Sequence, residues 1–419
     1  MNRREFLKAA AATALFAPFA RLGAQNPAPP DGASAPADGA AQGAGGPLTR
    51  RTMAGTSVPL LGYGCMRLPR GGDGHVDLAE TERLWSRYLE GGGNYFDTAY
   101  MYHEGESERA VGEILAKRPR SSYLLADKMP VWMARSEEGV KRVFEEQLER
   151  TKAEYFDFYL VHALGRGNWD MAQRIHALEF LLERKKEGRI RHLGFSFHDD
   201  PAALDPILDA YDWEFAMIQL NYQDWVRYRS KEQYEKITAK GIDVAVMEPL
   251  RGGALARLNP EAVEILKKAD PDASPASWAF RWVASLPKVS LVNSGMSRMS
   301  DLEDNLRTFS PARPLSEAER DVLSAALVAF NRNQAVPCTA CRYCMPCPVG
   351  VRIPEIFDVY NRFKADGDAA RFVRRYAEIP EDARADRCVR CMRCTQHCPQ
   401  KIAVPDELAK IDAEHAALA

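Results

Sequence analysis

The chain lacks an excess of basic residues and a long apolar run, and each absence excludes a class of function. Its 419 residues carry 56 lysines and arginines against 58 aspartates and glutamates. This balance of charge gives no indication of nucleic-acid binding. The apolar stretch within residues 9–20 is shorter than the about 20 residues that a stable membrane span needs. A chain of this length can instead bury large cores in two or three domains.

Aromatic residues are absent from residues 25–47, which consist mainly of alanine, glycine and proline. Such a segment has too few bulky apolar side chains to offset the entropy of ordering, so we predict a flexible linker. Residues 1–24 combine Arg3 and Arg4 with the apolar stretch and with small residues suited to cleavage, and they resemble a twin-arginine signal peptide. We therefore expect a periplasmic or otherwise exported protein, with a retained anchor as the alternative. Cleavage would remove four basic residues and one acidic residue, which changes the formal net charge from −2 to −5.

Cysteine is scarce except in two short runs near the C-terminus, which hold eight of the nine cysteines. Each run spaces its first three cysteines two residues apart and ends in Cys-Pro, a pattern typical of proteins with two [4Fe-4S] clusters. In such proteins the fourth cysteine of each run serves the other cluster. We therefore predict two ligand sets: Cys338, Cys341, Cys344 and Cys398 for one cluster, and Cys388, Cys391, Cys394 and Cys347 for the other.

Three observations bear on this assignment. The first run has two residues rather than three before its last cysteine, which leaves that ligand open. Zinc and disulfide bonds are the alternatives, although zinc sites usually pair two Cys-x2-Cys motifs about 15–20 residues apart. The twin-arginine interpretation agrees with clusters, because that route exports proteins already folded with their cofactors.

Between about residues 59 and 309, short apolar segments alternate with amphipathic ones. We predict eight strands with helices between them, at residues 60–68, 95–99, 123–128, 156–164, 190–198, 215–223, 242–250 and 289–296. Apolar strands covered by helices indicate a parallel sheet, and eight such units in about 250 residues match a (β/α)8 barrel. A doubly wound open sheet is the alternative, but Gly62 and Gly64 lack the third glycine of its nucleotide-binding motif.

The predicted fold class is α/β, with a (β/α)8 TIM barrel followed by a mainly helical ferredoxin-like domain. We divide the chain into a signal peptide at residues 1–24, a linker at 25–47, the barrel at 48–315 and the cluster domain at 316–419. The last boundary rests on the capping box Ser316-Glu317-Ala318-Glu319, which predicts the start of a helix. Helical patterns around residues 354–364 and 369–378 favour a helical cluster domain over a compact β-rich ferredoxin.

Four polar residues lie at or just after the ends of predicted strands, where a barrel has its active site. Asp97, Lys128 and His162 lie at the ends of strands two, three and four, and Tyr102 follows Asp97 by five positions. A tyrosine can protonate a carbonyl oxygen as hydride reaches the carbon, if a cation stabilises its phenolate. Lys128 would supply that charge, Asp97 would hold the ammonium, and His162 would orient the carbonyl oxygen. Taken singly, each of the four residues could also be structural.

The motifs around these residues resemble the aldo-keto reductase superfamily. They lie at residues 94–102, 105–112, 126–128 and 158–162, and the resemblance extends over about residues 48–310. With its cysteine runs and its signal, the chain resembles an iron-sulfur-containing branch of that superfamily. The resemblance implies a catalytic tetrad of Asp97, Tyr102, Lys128 and His162, in a barrel that binds a nicotinamide dinucleotide in extended form.

The resemblance also implies a cofactor site in the second half of the barrel. It assigns Ser196 and Gln219 to the nicotinamide carboxamide, Pro249 and Leu250 to the pyrophosphate side, and Ser294, Gly295 and Asn305 to the last strand and to a helix N-terminus that binds phosphate.

This chain departs from the family at several cofactor positions. Met247 replaces a tyrosine that many members stack on the nicotinamide, and Phe197 replaces an asparagine beside the serine. Gly295 and Asp301 stand where many members carry basic residues that hold the 2′-phosphate of NADPH, and Arg298 is the candidate to compensate. The choice between NADH and NADPH therefore stays open, with NADH or a tightly retained cofactor gaining weight.

Hydride transfer moves two electrons, whereas each cluster moves one, and no flavin motif is visible that could couple the barrel to the clusters. Three functional hypotheses therefore stay open. The first is an exported reductase that acts on a small-molecule carbonyl compound, either an aldehyde, a ketone or a sugar, with NAD(P)H. The second is an iron-sulfur electron-transfer protein that serves a redox partner protein and whose barrel does not use free NAD(P)H. The third is a non-catalytic binding barrel. The substrate is not specified by the sequence.

Overall fold

A computed structural model describes residues 46–331, 335–338 and 341–418 of the protein. The predicted signal peptide and nearly all of the predicted linker lie outside the described residues. Within the described part of the chain, no helix is both long enough and apolar enough to cross a membrane.

The described chain begins with a β-hairpin that the sequence analysis did not predict. Strand β1 (Arg50–Met53) pairs antiparallel with β2 (Thr56–Pro59), and the turn between them contains Gly55 at a φ of 80°. Met53 and Val58 are fully buried and pack in one cluster with Tyr95 and Phe215, which are the first residues of their barrel strands. The hairpin therefore closes the N-terminal end of the barrel.

Eight parallel strands form a closed barrel, which confirms the predicted fold class. In chain order they are β3 (Leu61–Gly64), β4 (Tyr95–Asp97), β5 (Leu124–Met129), β6 (Phe156–Leu164), β7 (Ile190–Phe197), β8 (Phe215–Gln219), β9 (Asp243–Met247) and β10 (Val289–Ser294). Each neighbours the next, and β10 closes the ring by pairing with β3 at Val292 and Leu61. Several strands end before their predicted limits, because the chain turns there into the loops around the barrel mouth.

The barrel is surrounded by helices that follow its strands. They are α1 (Leu78–Glu90), α2 (Glu106–Ile114), α3 (Val131–Ala134), α4 (Glu137–Thr151), α5 (Arg166–Arg174), α6 (Ala177–Lys186), α7 (Asp205–Leu208), α8 (Asp224–Arg227), α9 (Ser230–Ala239), α10 (Pro260–Ala269), α11 (Pro275–Ala284) and α12 (Met299–Thr308). Side chains cap several of their first turns: Asp77 accepts from the amide of Glu80, and Ser136 accepts from the amide of Gly139. These caps fix where α1 and α4 begin.

The capping box starts α13 (Glu317–Asn331), as the sequence indicates, but this helix packs on the barrel. Ser316 and Glu319 exchange the two hydrogen bonds of the box. Leu323 and Ala326 are buried in the same hydrophobic cluster as the barrel helices. The helix that we placed at the start of the cluster domain is thus part of the barrel's packing, because a capping box marks where a helix begins and not what it packs against.

The remaining helices form a second, smaller core around the cysteine runs. They are α14 (Ile353–Asp366), α15 (Ala369–Ala377), α16 (Arg393–His397) and α17 (Val404–Leu418). Phe357, Phe372, Tyr376, Leu408 and Ile411 are buried in this core. The C-terminal region is therefore helical, as predicted.

Close packing of α2 on α4 yields a stability prediction. A methyl group at Gly112 would overlap the backbone carbonyl of Arg150 in α4, so we expect Gly112→Ala to destabilise the fold by about 1–3 kcal/mol. Gly167 in α5 has nothing within 4 Å of the same position, and Gly167→Ala is the matched control. It should stabilise slightly by restricting the unfolded chain. Denaturant unfolding of both variants checks this, and equal effects at the two sites would contradict it.

Candidate active site at the barrel mouth

The four predicted catalytic residues meet in one cavity at the C-terminal ends of the strands. Asp97 ends β4, Lys128 lies in β5 and His162 lies in β6. Tyr102 begins the short helical turn Tyr102–Gly105 after β4. All four line a cavity of about 890 Å³, so the structure brings together every residue of the predicted tetrad. Their catalytic roles stay predictions.

An ion pair between Lys128 and Asp97 is buried at the base of this cavity. The Lys128 side chain is 1% exposed, and its Nζ donates to Asp97 Oδ1 at 2.6 Å and to the carbonyl oxygen of Thr98 at 2.6 Å. Burial raises the pKa of Asp97, and the neighbouring ammonium opposes that rise. Each charge therefore depends on the other, since an unpaired charge at this depth is strongly unfavourable.

Tyr102 is placed as a neutral proton donor. Burial raises the pKa of its phenol well above the ordinary value, and the negative charge of Asp97 adds to the rise. Lys128 Nζ lies 4.9 Å from the centre of the Tyr102 ring, so the ammonium faces the ring. The phenol therefore holds its proton at neutral pH, with a positive charge nearby to stabilise the phenolate that forms when the proton leaves.

His162 is placed as a neutral hydrogen-bonding group. Burial, and then the charge of Lys128, lower the pKa of His162 well below its ordinary value. Its ring centre lies 6.2 Å from that of Tyr102 and 5.1 Å from that of Trp132. Its Nδ1 is buried with no hydrogen-bond partner among the described residues.

The predicted cofactor residues line the same cavity. The structure places all of them there: Ser196, Gln219, Met247, Pro249, Leu250, Ser294, Gly295, Arg298 and Asn305. Ser196 Oγ accepts from the amide of Ala163 at 2.7 Å, which leaves its hydroxyl proton for a ligand. Asn305 Nδ2 donates to Ser294 Oγ at 2.9 Å and so joins α12 to the end of β10.

The cavity end near α12 suits an anionic group. No side chain caps the first turn of α12, and a helix N-terminus with open amides favours phosphate. A methyl group at Gly295 would come within 3.0 Å of the Arg67 side chain, so glycine lets the backbone lie close to Arg67. Arg298 is 75% exposed, and its guanidinium is bound to Asp301 at 2.8 Å. The first turn of α12 therefore leaves its amides open, while Arg298 is held by an aspartate of the same turn.

Residues of the cluster domain form part of the cavity wall, and no local motif in the sequence indicates which ones. Cys341, Tyr343, Pro399 and Gln400 line the cavity together with the tetrad. The Tyr343 ring lies 6.3 Å from the ring of His198 at the end of β7. The domain that carries the cysteines thus covers the barrel mouth.

The side-chain amide of Gln219 is already hydrogen bonded within the protein. Its Nε2 donates to Asp224 Oδ2 at 2.7 Å and to Gln400 Oε1 at 3.2 Å, and its Oε1 accepts from Gln400 Nε2 at 2.8 Å. Both N–H donors of Gln219 and one lone pair of its Oε1 are therefore used. A carboxamide that accepts a hydrogen bond from the Gln219 amide must first displace Gln400 or Asp224.

A buried ion pair extends this network to the first cysteine run. Arg251 and Asp224 are almost fully buried, and Arg251 Nε donates to Asp224 Oδ1 at 2.9 Å. Arg251 Nη2 also donates to the carbonyl oxygen of Pro337, the residue before Cys338. One polar network therefore joins Gln219 to the segments that carry Cys338 and Cys398. No local sequence motif marks its members, because they are paired only by the fold.

The eight cysteines of the two runs are free of disulfide bonds and lie around two cavities. Cys338, Cys341, Cys344 and Cys398 line the first; Cys347, Cys388, Cys391 and Cys394 line the second, which Cys344 also borders. This is the predicted grouping, and four soft sulfur donors around a cavity fit an iron-sulfur cluster. Within the described residues, no group of three or more histidines, cysteines or carboxylates is arranged to hold a metal ion. Ligation of the clusters stays a prediction.

Comparison with protein families gives two matches. Residues 60–326 match the aldo/keto reductase family, and residues 337–403 match a 4Fe-4S dicluster domain. An uncharacterised oxidoreductase of Bacillus subtilis, YqkF, is 25% identical over 305 residues, which cover 66% of this chain and 96% of that protein. A 9,11-endoperoxide prostaglandin H2 reductase of Trypanosoma cruzi is 28% identical over 243 residues, which cover 55% of this chain and 77% of that protein.

Solved structures show the same barrel. A holo aldo-keto reductase from Bacillus halodurans is 25% identical with a TM-score of 0.56, and the match covers 67% of this chain and 96% of that chain. An aldo-keto reductase from Klebsiella pneumoniae in complex with NADPH is 19% identical with a TM-score of 0.56, covering 66% and 95%. The second match shows the fold alone.

The buried pair at the cavity base yields a stability prediction. Asp97→Asn leaves the Lys128 ammonium buried without its counter-charge, so we expect a loss of about 3–5 kcal/mol in the free energy of unfolding. The double variant Asp97→Asn/Lys128→Met should recover part of this loss. Glu113→Gln is the control, because Glu113 pairs with Lys152 on the surface and such pairs contribute little. Denaturant unfolding measures all three, and an Asp97→Asn variant as stable as the wild type would refute the interpretation.

Proposed function

Because the protein belongs to the aldo/keto reductase family and carries a 4Fe-4S dicluster domain, we propose that it reduces a small carbonyl compound with a nicotinamide cofactor. The substrate class is an aldehyde, a ketone or a sugar. One observation carries the proposal: Asp97, Tyr102, Lys128 and His162 converge in a single cavity that is large enough for a substrate beside a cofactor.

In this reaction the nicotinamide cofactor, when bound, supplies hydride to the carbonyl carbon. The Tyr102 hydroxyl donates its proton to the carbonyl oxygen, and its raised pKa keeps that proton in place until the charge on the oxygen develops. Lys128 stabilises the resulting phenolate by its charge, and Asp97 holds Lys128 in position. Neutral His162 offers a hydrogen bond that orients the carbonyl oxygen.

The remaining cavity residues would contact different parts of the cofactor. Ser196 would bind the carboxamide, Met247 would lie against the nicotinamide ring, and Pro249 and Leu250 would border the pyrophosphate. The first turn of α12 would border the adenosine end of the cofactor. We propose NADH over NADPH, since Arg298 is held by Asp301, and an aspartate at this helix end repels a 2′-phosphate.

Export is the proposed location, and its support comes from the sequence alone. The twin-arginine motif, the short apolar stretch and the linker precede the barrel in the order that an export signal requires. We propose that two [4Fe-4S] clusters are bound before transport, one in each cysteine cavity.

A second function is favoured by one specific observation. The side-chain amides of Gln400, in the cluster domain, and Gln219 are hydrogen bonded to each other, and Cys341 lines the barrel cavity. In this alternative the barrel does not use free NAD(P)H, and the clusters carry the electrons that reach its cavity.

Exchange of Tyr102 tests the proposed reaction. We expect Tyr102→Phe to lower the turnover number for carbonyl reduction by about 10²- to 10⁴-fold, with unchanged dinucleotide affinity, because only the proton donor is lost. Tyr100→Phe is the matched control, since the Tyr100 hydroxyl donates instead to Glu146 of α4. Steady-state assays of an aldehyde and sugar panel with NADH and NADPH under anaerobic conditions provide the measurement.

The same assay has a pH signature. Tyr102 acts in its protonated form, and its pKa is raised, so turnover should persist at alkaline pH and fall only above the ordinary tyrosine value of about 10. Full turnover by Tyr102→Phe would rule out the proposed role.

Exchange of Gln400 separates the two candidate functions. If the protein uses free dinucleotide, Gln400→Ala should tighten NADH binding by about two- to tenfold, because one competing hydrogen-bond partner of Gln219 is removed. Gln173→Ala, on the exposed face of α5, should leave affinity unchanged. Calorimetric titration measures the dissociation constants, with iron content checked in each preparation. Absence of NADH and NADPH binding in both wild type and Gln400→Ala would favour the electron-transfer alternative.

A further inference from the structure

The two cysteine cavities have different surroundings. We call Cys338, Cys341, Cys344 and Cys398 the inner set, because Cys341 also lines the barrel cavity. We call Cys347, Cys388, Cys391 and Cys394 the outer set, because Cys391 is exposed to solvent. Cys344 borders both cysteine cavities, so the two sets adjoin each other. They form a continuous line from the protein surface to the barrel cavity.

Arginine surrounds the outer set. Arg387, Arg390 and Arg393 each stand directly before a cysteine of this set, and all three are exposed. No acidic residue occurs between positions 387 and 405. Arg387 pairs with Asp386 and Arg390 pairs with Asp406, whereas Arg393 forms no ion pair with any described residue. The first cysteine run has a single arginine, Arg342.

Large apolar side chains are exposed among these arginines. Val389 is 63% exposed and Met392 is 42% exposed. Val349, from the loop after Cys347, is also exposed and borders the outer cavity together with Val389. Clustered exposed apolar residues on a folded domain indicate an interaction surface, and methionine and arginine are enriched in such surfaces. We call Arg387, Val389, Arg390, Met392 and Arg393 the outer face.

We propose that the outer face docks an acidic one-electron carrier protein. The proposal rests on the proposed function, namely that both cysteine sets hold clusters. The basic rim would steer an acidic partner towards the surface, and Val389 and Met392 would form the apolar centre of the contact. This contact would bring the carrier against the exposed Cys391.

Each docking event moves a single electron. The carrier's reduced centre loses one electron, the group held by the outer set gains it, and no bond or proton changes. The inner set adjoins the outer set at Cys344, so the group that it holds is the next acceptor of the electron. The outer face is therefore the electron entry site.

Charge reversal at the outer face tests the proposal in the cluster-loaded, full-length protein. Reduced acidic [2Fe-2S] ferredoxin is the electron donor, and stopped-flow bleaching of the visible cluster absorption is the readout. We expect wild-type reduction to slow as salt is added. We expect Arg390→Glu/Arg393→Glu to slow it at least about tenfold at low salt, and Arg390→Gln/Arg393→Gln to have an intermediate effect.

Two controls make the result specific. Arg142→Glu/Arg174→Glu changes the same net charge on exposed positions of α4 and α5 and should reduce like the wild type. Dithionite, a small reductant that needs no docking surface, should reduce every variant to the same extent. Iron and sulfide analysis confirms that each variant carries its clusters.

The possible outcomes separate the docking surface from the proposed function. Equal ferredoxin rates in wild type and Arg390→Glu/Arg393→Glu would overturn the docking proposal while leaving the clusters intact. Faster exchange with a basic c-type cytochrome than with the acidic ferredoxin would also overturn it. A dimer of the protein that the double variant abolishes would instead assign the face to a second copy. Wild-type protein without iron and sulfide would overturn the docking proposal and the proposed clusters, whereas carbonyl reduction is judged separately by the turnover of Tyr102→Phe.

Discussion

The barrel mouth depends on keeping one lysine charged inside the protein. Lys128 is almost completely buried, and an ammonium at this depth requires a carboxylate and further acceptors. Asp97 and the carbonyl of Thr98 supply them. Asp97 reaches Lys128 because β4 and β5 pair in parallel, with Asp97 opposite Ala126. The ion pair therefore forms only when the barrel strands are in register, and the same register sets Tyr102 and His162 around it. Folding and the chemistry of the site are thus coupled through one salt bridge.

A second buried pair connects the site to the cluster domain. Arg251 and Asp224 lie between Gln219 in the barrel and the segments that carry Cys338 and Cys398. Gln219 is also the residue that family resemblance assigns to the nicotinamide carboxamide. Any ligand that needs the Gln219 amide therefore competes with Gln400, two residues beyond a predicted cluster ligand. The barrel cavity and the cluster domain therefore share one set of hydrogen bonds through Gln219 and Gln400.

The two cysteine runs are similar in spacing but differ in their neighbours. The inner set faces the barrel cavity with Tyr343 and Gln400 beside it, whereas the outer set meets solvent among arginines. The two cysteine sets therefore differ in exposure: the outer set lies at an exposed basic surface, and the inner set lies beside an enclosed cavity. Arginine precedes three of the four cysteines of the second run, whereas the first run contains Arg342 alone.

Much of the fold could be predicted from local patterns. Apolar segments alternating with amphipathic ones located all eight barrel strands, and the strands overlap their predicted ranges. The hairpin of β1 and β2 was missed, because each strand has four residues, too few to show a period. The packing of α13 was missed for another reason: the capping box Ser316-Glu319 specifies a helix start, while the contact with the barrel depends on distant residues.

The sequence by itself determined the elements, the two groups of cysteines and the identity of the four polar residues at the strand ends. Each of these is encoded by spacing or by neighbouring residues. Only the tertiary structure decided that Gln400 is hydrogen bonded to Gln219, 181 positions away. It also decided that Cys341 and Tyr343 line the barrel cavity. Contacts of this kind leave no periodic signal, because a polar side chain pairs with whichever partner the closed barrel and the docked domain bring within hydrogen-bonding distance.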